Sequence, residues 1–121
     1  MTKSVLLVED NAFVTKLYKS CLEQIGANIL HATNGADAIR LAGEHQPNVI
    51  VMDIMLPGMS GIEITRTLKA DPATKDIPII AVTTLAMAGD LDKIKEVGCD
   101  AYLSKPINVE NFVNTVKGYL G

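Results

Sequence analysis

The sequence predicts an α/β fold: five parallel strands alternating with five helices, doubly wound so that helices cover both faces of one sheet. Three observations predict it. Short apolar runs recur five times along the 121 residues, each of strand rather than helix length. Helical patterns with apolar residues at i and i+4 separate them, and such strict alternation implies parallel strands joined by right-handed crossovers. Two of the runs also end on acids: Val5-Leu6-Leu7-Val8 on Glu9-Asp10, and Val49-Ile50-Val51-Met52 on Asp53. Acids do not belong in a core, so these two runs read as buried strands whose tips emerge at one edge of the sheet.

The elements follow in order. Strands are predicted at residues 5–8, 28–32, 49–52, 79–82 and 101–103. The first helix carries Phe13, Val14, Leu17, Cys21, Leu22 and Ile25 as its apolar stripe and stops at Gly26, which suits a left-handed cap. The second opens after Asn34-Gly35, buries Ala38, Ile39, Leu41 and Ala42, and ends ahead of Pro47. Ser60-Gly61-Ile62-Glu63 reads as a capping box opening the third. The fourth, residues 88–97, has the weakest stripe and ends at Gly98, and the fifth aligns Phe112, Val116 and Leu120 on one face. Five strands fit the flavodoxin-like order 2-1-3-4-5, with its switch point between strands 1 and 3, where Glu9-Asp10 and Asp53 lie.

A chain of this length buries roughly two-thirds of its unfolded surface, so residues 1–121 are read as one domain. An apolar fraction of 48% excludes a disordered chain. A net charge of −3, with lysines and arginines dispersed, gives no basic stripe and argues against direct nucleic-acid binding. No apolar stretch approaches the roughly 20 residues that span a bilayer, so no membrane insertion is expected and the location is read as cytoplasmic. Cys21 and Cys99 lack metal or redox spacing and read as reduced thiols.

Carboxylates converging on one crevice repel each other, and a hard divalent cation with oxygen ligands relieves that repulsion. Magnesium is the natural candidate. It takes few protein ligands, so Asp10, Asp53 and one backbone carbonyl beyond Asp53 suffice, with Glu9 acting through water. The fourth strand ends at Thr83, whose hydroxyl can hydrogen-bond a phosphoryl oxygen, and the fifth runs through Ser104 to Lys105, whose ammonium can neutralise another. These parts form a minimal set for phosphoryl transfer to aspartate. Neither Met55 nor Leu85 can activate water, so a lasting acyl phosphate is expected rather than fast turnover.

Together, Val-Glu-Asp-Asn at residues 8–11, Met-Asp-Ile-Met-Leu-Pro-Gly-Met-Ser-Gly around Asp53, Thr83, and Ser-Lys-Pro-Ile at residues 104–107 resemble the signature of bacterial two-component response-regulator receiver domains, the CheY-like family. The resemblance covers the whole chain. It implies that Asp53 is the phosphoacceptor, that Asp10, Asp53 and the Met55 carbonyl ligate magnesium directly, and that Glu9 supports the metal. It further implies that Thr83 and Tyr102 are a switch pair, that Lys105 binds the phosphoryl group, and that the Lys105-Pro106 bond is cis and aims Lys105 into the crevice. With no effector domain appended, the chain is similar to stand-alone single-domain regulators and to receivers fused to hybrid kinases. The implied partners are a histidine kinase or histidine phosphotransfer protein and a downstream protein bound on the helix 4, strand 5 and helix 5 face, with the chain acting as a monomer. It would catalyse its own phosphorylation and slow dephosphorylation without multiple turnover. One departure is Thr84, where the family usually has alanine or glycine; it is expected to narrow access to Asp53.

Taken singly, these residues have plainer readings. Adjacent acids cap helices, Thr83 is an ordinary β-branched strand residue, Lys105 a surface charge, and most Xaa-Pro bonds are trans. Tyr102 reads as half-buried on an edge strand, and His31 and His45 as structural or surface residues. Three other functions fit the same fold: a phosphorylation-independent interaction module, a magnesium-dependent aspartyl-phosphate phosphatase and a flavin-binding protein. Met55 stands where such a phosphatase would have an acid/base aspartate, and an acidic crevice repels a cofactor phosphate.

Overall fold

The computed structural model describes residues 3–56, 58–83 and 88–120, with the side chains of residues 88–91 left aside. Pro57, Thr84 and Leu85, which enter the expectations above, lie outside the described residues. Among the described residues strands and helices alternate: β1 (Ser4–Val8), α1 (Ala12–Glu23), β2 (Asn28–Ala32), α2 (Gly35–His45), β3 (Val49–Asp53), α3 (Gly61–Ala70), β4 (Ile79–Thr83), α4 (Ala88–Glu96), β5 (Ala101–Ser104) and α5 (Val109–Leu120). The strands form one parallel sheet in the expected order β2-β1-β3-β4-β5.

Strand residues divide by parity. Leu6, Val8, Ile50, Met52, Ile79 and Ala81 meet α2, α3 and α4 through Ala38, Ala42, Ile64, Leu68 and Ile94. Val5, Leu7, Val49, Val51, Ile80 and Val82 meet α1 and α5 through Tyr18, Cys21, Leu22, Phe112 and Val116. The central strands β1, β3 and β4 are therefore buried on both sides, which is why their sequences show no polar alternation. Tyr18 and Phe112 stack at a centroid distance of 4.8 Å and tie α1 to α5.

Local chemistry sets the helix ends. Asn11 Oδ1 accepts the Phe13 and Val14 N–H groups, Asn34 Oδ1 that of Asp37, and Ser60 Oγ that of Glu63. Of the expected capping box, only this serine half forms among the described residues. Gly26, after α1, has φ of 75°, as a left-handed cap requires.

The α1 stripe needs correction. Phe13 is 86% exposed and Leu17 45% exposed, whereas Tyr18 is buried with Cys21 and Leu22. Val14, Tyr18, Cys21 and Ile25 centre the buried face, and Leu17 and Phe13 sit roughly a fifth of a turn or more to one side. The i, i+4 pattern was real but its phase was not fixed by apolar residues alone. On α4, Ile94 is buried while Asp92, Lys93, Lys95 and Glu96 are exposed, consistent with a thin apolar stripe. No helix of the described residues is long and apolar enough to cross a membrane. Both cysteines are free thiols, and burial pushes both up in pKa.

Candidate functional site

Sheet register builds the site. Val8 pairs with Met52, so the next residues, Glu9 just past β1 and Asp53 at the last position of β3, stand abreast at the carboxyl edge. Asp53 pairs with Val82, placing Thr83 at the adjoining tip, and Thr83 pairs with Ser104, after which Lys105 follows. A crevice at the carboxyl edge of a doubly wound sheet, beside its switch point, is where such folds bind ligands.

Carboxylate oxygens of Glu9, Asp10 and Asp53 lie within 4.8 Å of one another. Glu9 is 2% exposed and Asp53 4% exposed, while Asp10 faces solvent. Lys105 Nζ stands 3.4 Å from Asp53 Oδ1 and 3.5 Å from Glu9 Oε2. The Met55 N–H donates to Asp53 Oδ1 at 3.0 Å, and the Asn11 N–H to Glu9 Oε1 at 3.1 Å. One ammonium thus meets two of the three clustered carboxylates. Burial raises the Glu9 pKa, the Asn11 N–H bond opposes that rise, and the charge on Asp53 adds to it while Lys105 lowers it. The chemistry of the donor set fits a hard divalent cation, with oxygen ligands, surplus negative charge and one ligand open to water.

Backbone packing holds Asp53 in place. Gly61, the first residue of α3, donates to the Ile54 carbonyl at 3.1 Å, and a Cβ there would stand 2.5 Å from the Asp53 carbonyl oxygen and 2.7 Å from Ile54 Cα. Only glycine allows so close an approach of helix to strand tip.

Of the residues singled out in the sequence, Glu9, Asp10, Asp53 and Lys105 are brought together, and Met55 joins through its N–H. Thr83 is fully buried at the adjacent tip. The Lys105-Pro106 bond is cis. Tyr102 pairs with Ala81 on the edge strand and is 44% exposed, the half-buried position expected. Beside the crevice a groove of about 330 Å³ is lined by Val14, Leu17, Tyr18, Lys105, Pro106 and Ile107.

His31 has the structural character expected of it, through a contact the sequence did not name. Its Nε2 lies 2.9 Å from the Glu9 carbonyl oxygen and 3.3 Å from Thr15 Oγ1. No local spacing signals this contact, because it depends on β1–β2 register, in which His31 pairs with Leu7. His45 is exposed beside Glu44, as a surface residue.

Residues 5–117 match the family model of the response regulator receiver domain. The chain belongs to that family. It is 49% identical to the polar-differentiation response regulator DivK of Brucella ovis over 121 residues, the whole of this chain and 98% of that one. Among solved structures, the chemotaxis protein CheY4 of Vibrio cholerae superposes with a TM-score of 0.92 at 27% identity, covering 99% of this chain and all of that one. The receiver domain of the sensor histidine kinase PA1611 from Pseudomonas aeruginosa, which has magnesium coordinated in its active-site cleft, gives a TM-score of 0.90 at 29% identity, covering 100% of this chain and 99% of that one. The chain is thus a CheY-like receiver of two-component signalling, similar to DivK from end to end.

Proposed function

We propose that this receiver accepts a phosphoryl group on Asp53 from a histidine kinase or histidine phosphotransfer protein in a magnesium-dependent reaction in the cytoplasm, and signals by protein binding that phosphorylation biases. The carrying observation is the cluster of Glu9, Asp10 and Asp53 within 4.8 Å, with Lys105 Nζ 3.4 Å from Asp53. Asp10, Asp53 and the Met55 carbonyl would hold the magnesium ion, with Glu9 acting through water, and when bound it would supply positive charge for phosphoryl oxygens entering beside carboxylates.

The chain's own groups do the rest. The Asp53 carboxylate attacks phosphorus, the donor's P–N bond breaks with its electron pair left on the imidazole, and an acyl phosphate forms on Asp53. The Met55 N–H and Lys105 orient the carboxylate before attack. Lys105 then faces the added negative charge, and the Thr83 hydroxyl turns toward it. Space vacated by Thr83 lets Tyr102 rotate inward from its exposed position, biasing the face made by α4, β5 and α5 toward a downstream protein. A phosphoryl mimic that left the Tyr102 environment unchanged would rule this switch out. A protein donor must approach past α1, where the exposed Phe13 and Leu17 supply apolar surface beside the groove reaching Pro106 and Ile107.

The test is intact mass with peptide mapping after incubation with acetyl phosphate and magnesium, beside Asp53→Asn and an EDTA control. Stoichiometric, magnesium-dependent modification confined to Asp53 is expected. A chain that stays unmodified while a known receiver is labelled in parallel would leave a module that works by binding alone.

A further inference from the structure

β1 ends at Val8 and α1 begins at Ala12, so Glu9, Asp10 and Asn11 form a connection outside both strand and helix. Asp10 sits in the middle of it and is the solvent-facing member of the acidic cluster. Its position therefore depends on what holds the connection. The Glu9 N–H donates to the Ala32 carbonyl at 3.0 Å, which fixes the entry from β1. The carbonyls of the two residues on either side of Asp10 each meet a side chain: that of Glu9 meets His31 Nε2 at 2.9 Å, and that of Asn11 meets Thr15 Oγ1 at 2.9 Å beside the Thr15 backbone N–H, also at 2.9 Å.

These two side chains also touch, at 3.3 Å. A carbonyl oxygen only accepts, so His31 Nε2 must carry a hydrogen; the Thr15 hydroxyl hydrogen is committed to Asn11, so its oxygen accepts the second arm of the His31 N–H. Thr15 alone has a plain explanation, since threonine commonly bonds the carbonyl four residues back in a helix. His31 does not, because it reaches across from β2 to the far side of the same turn.

We infer that His31 and Thr15 are positioning residues that clamp the Glu9–Asn11 connection and so set the Asp10 carboxylate for cation binding opposite Asp53. This deepens the magnesium-dependent reading above and rests on it. Groups behind a metal ligand that fix its orientation commonly govern affinity, and their loss costs on the order of tenfold.

Mn²⁺ titrated alone, with the free ion followed by electron paramagnetic resonance, reads affinity without any phosphoryl chemistry. His31→Ala and Thr15→Val should each weaken Mn²⁺ binding on the order of tenfold. His31→Gln, whose amide nitrogen stands the same number of bonds from Cα as Nε2, should recover most of the loss. Metal-free melting curves run alongside. A merely structural His31 would lower Tm in the alanine variant while Mn²⁺ affinity, measured well below the transition, stayed at the wild-type value, and that result overturns the inference. Glutamine binding no better than alanine would overturn it as well. Should His31→Ala fail to fold, unchanged affinity in Thr15→Val decides against the clamp. If the wild type itself takes up no Mn²⁺, or Asp10→Asn binds as the wild type does, the metal reading of the crevice falls first and the inference with it.

Discussion

Each end of the sheet carries a lysine against acids, and the two are built differently. At the amino end, Lys69 Nζ donates to the Lys75 carbonyl at 3.1 Å, the Ile77 carbonyl at 2.9 Å and Asp100 Oδ2 at 3.3 Å, and that carboxylate also accepts the Ile79 N–H at 2.8 Å. One cation meets one anion, and all three ammonium hydrogens have acceptors. At the carboxyl end, Lys105 approaches Asp53 and Glu9 only to 3.4 and 3.5 Å, and three carboxylates outnumber it. The same residue types thus make a closed latch at one edge and an open, negatively charged crevice at the other. A satisfied cluster ties elements together, whereas an unbalanced one is ready for a ligand.

Replacing the two lysines is the sharpest way to break that contrast. Lys105→Met should slow modification by acetyl phosphate on the order of a hundredfold, with mass spectrometry as the readout, and leave the fold intact. Lys69→Met should do the reverse. It leaves two carbonyls without the ammonium and Asp100 with the Ile79 N–H alone, costing about 1–3 kcal/mol of stability in denaturant melts, while the phosphorylation rate of the folded protein holds. A Lys69 variant that phosphorylates slowly, or a Lys105 variant that unfolds, would dissolve the distinction.

Gly61→Ala tests how tightly the crevice depends on backbone packing. The added methyl meets the Asp53 carbonyl and Ile54 Cα, so a loss of about 1–3 kcal/mol is expected, together with slower phosphorylation because Asp53 must shift. Glu9→Gln gives a smaller effect with a defined sign. Burial foremost, then the charge on Asp53, raises the Glu9 pKa above its ordinary 4.5, so the folded chain holds that proton more tightly than the unfolded one. The contribution is fully present below 4.5 and is lost as pH rises through the raised value. Metal-free Glu9→Gln should therefore melt higher than wild type at neutral pH, and the advantage should vanish as pH falls below 4.5. Saturating magnesium should shrink it, because an ion bound to the native state stabilises the carboxylate form. The smallest change concerns only the donor: Phe13→Ala with Leu17→Ala should slow transfer from a phosphorylated protein several-fold and leave acetyl phosphate labelling unchanged.

Much of the fold was legible because its signals are local. Five apolar runs, helix-capping Asn34 and Ser60, and the turn glycine Gly26 each announce an element within a few residues, and two acids at strand tips mark the crevice edge. What escaped was set by distant pairing. Tyr18 replaces Leu17 in the α1 core because Phe112 of α5 lies opposite, a partner some ninety residues away. Lys69 and Asp100 look like surface charges until α3 and the entry to β5 meet at the amino edge. His31 finds Glu9 only through β1–β2 register.

Tyr18 is 3% exposed, stacked on Phe112, and its pKa is pushed up to about 12 by burial first and then by the negative charge of Glu9 and Asp53. The chain has no tryptophan and three tyrosines, of which Tyr102 stands in solvent on the proposed output face. The molecule therefore carries its own optical reporters. Any change of charge in the crevice should register in the near-ultraviolet signal of a buried phenol, and any movement of the output face in that of an exposed one, with no label attached.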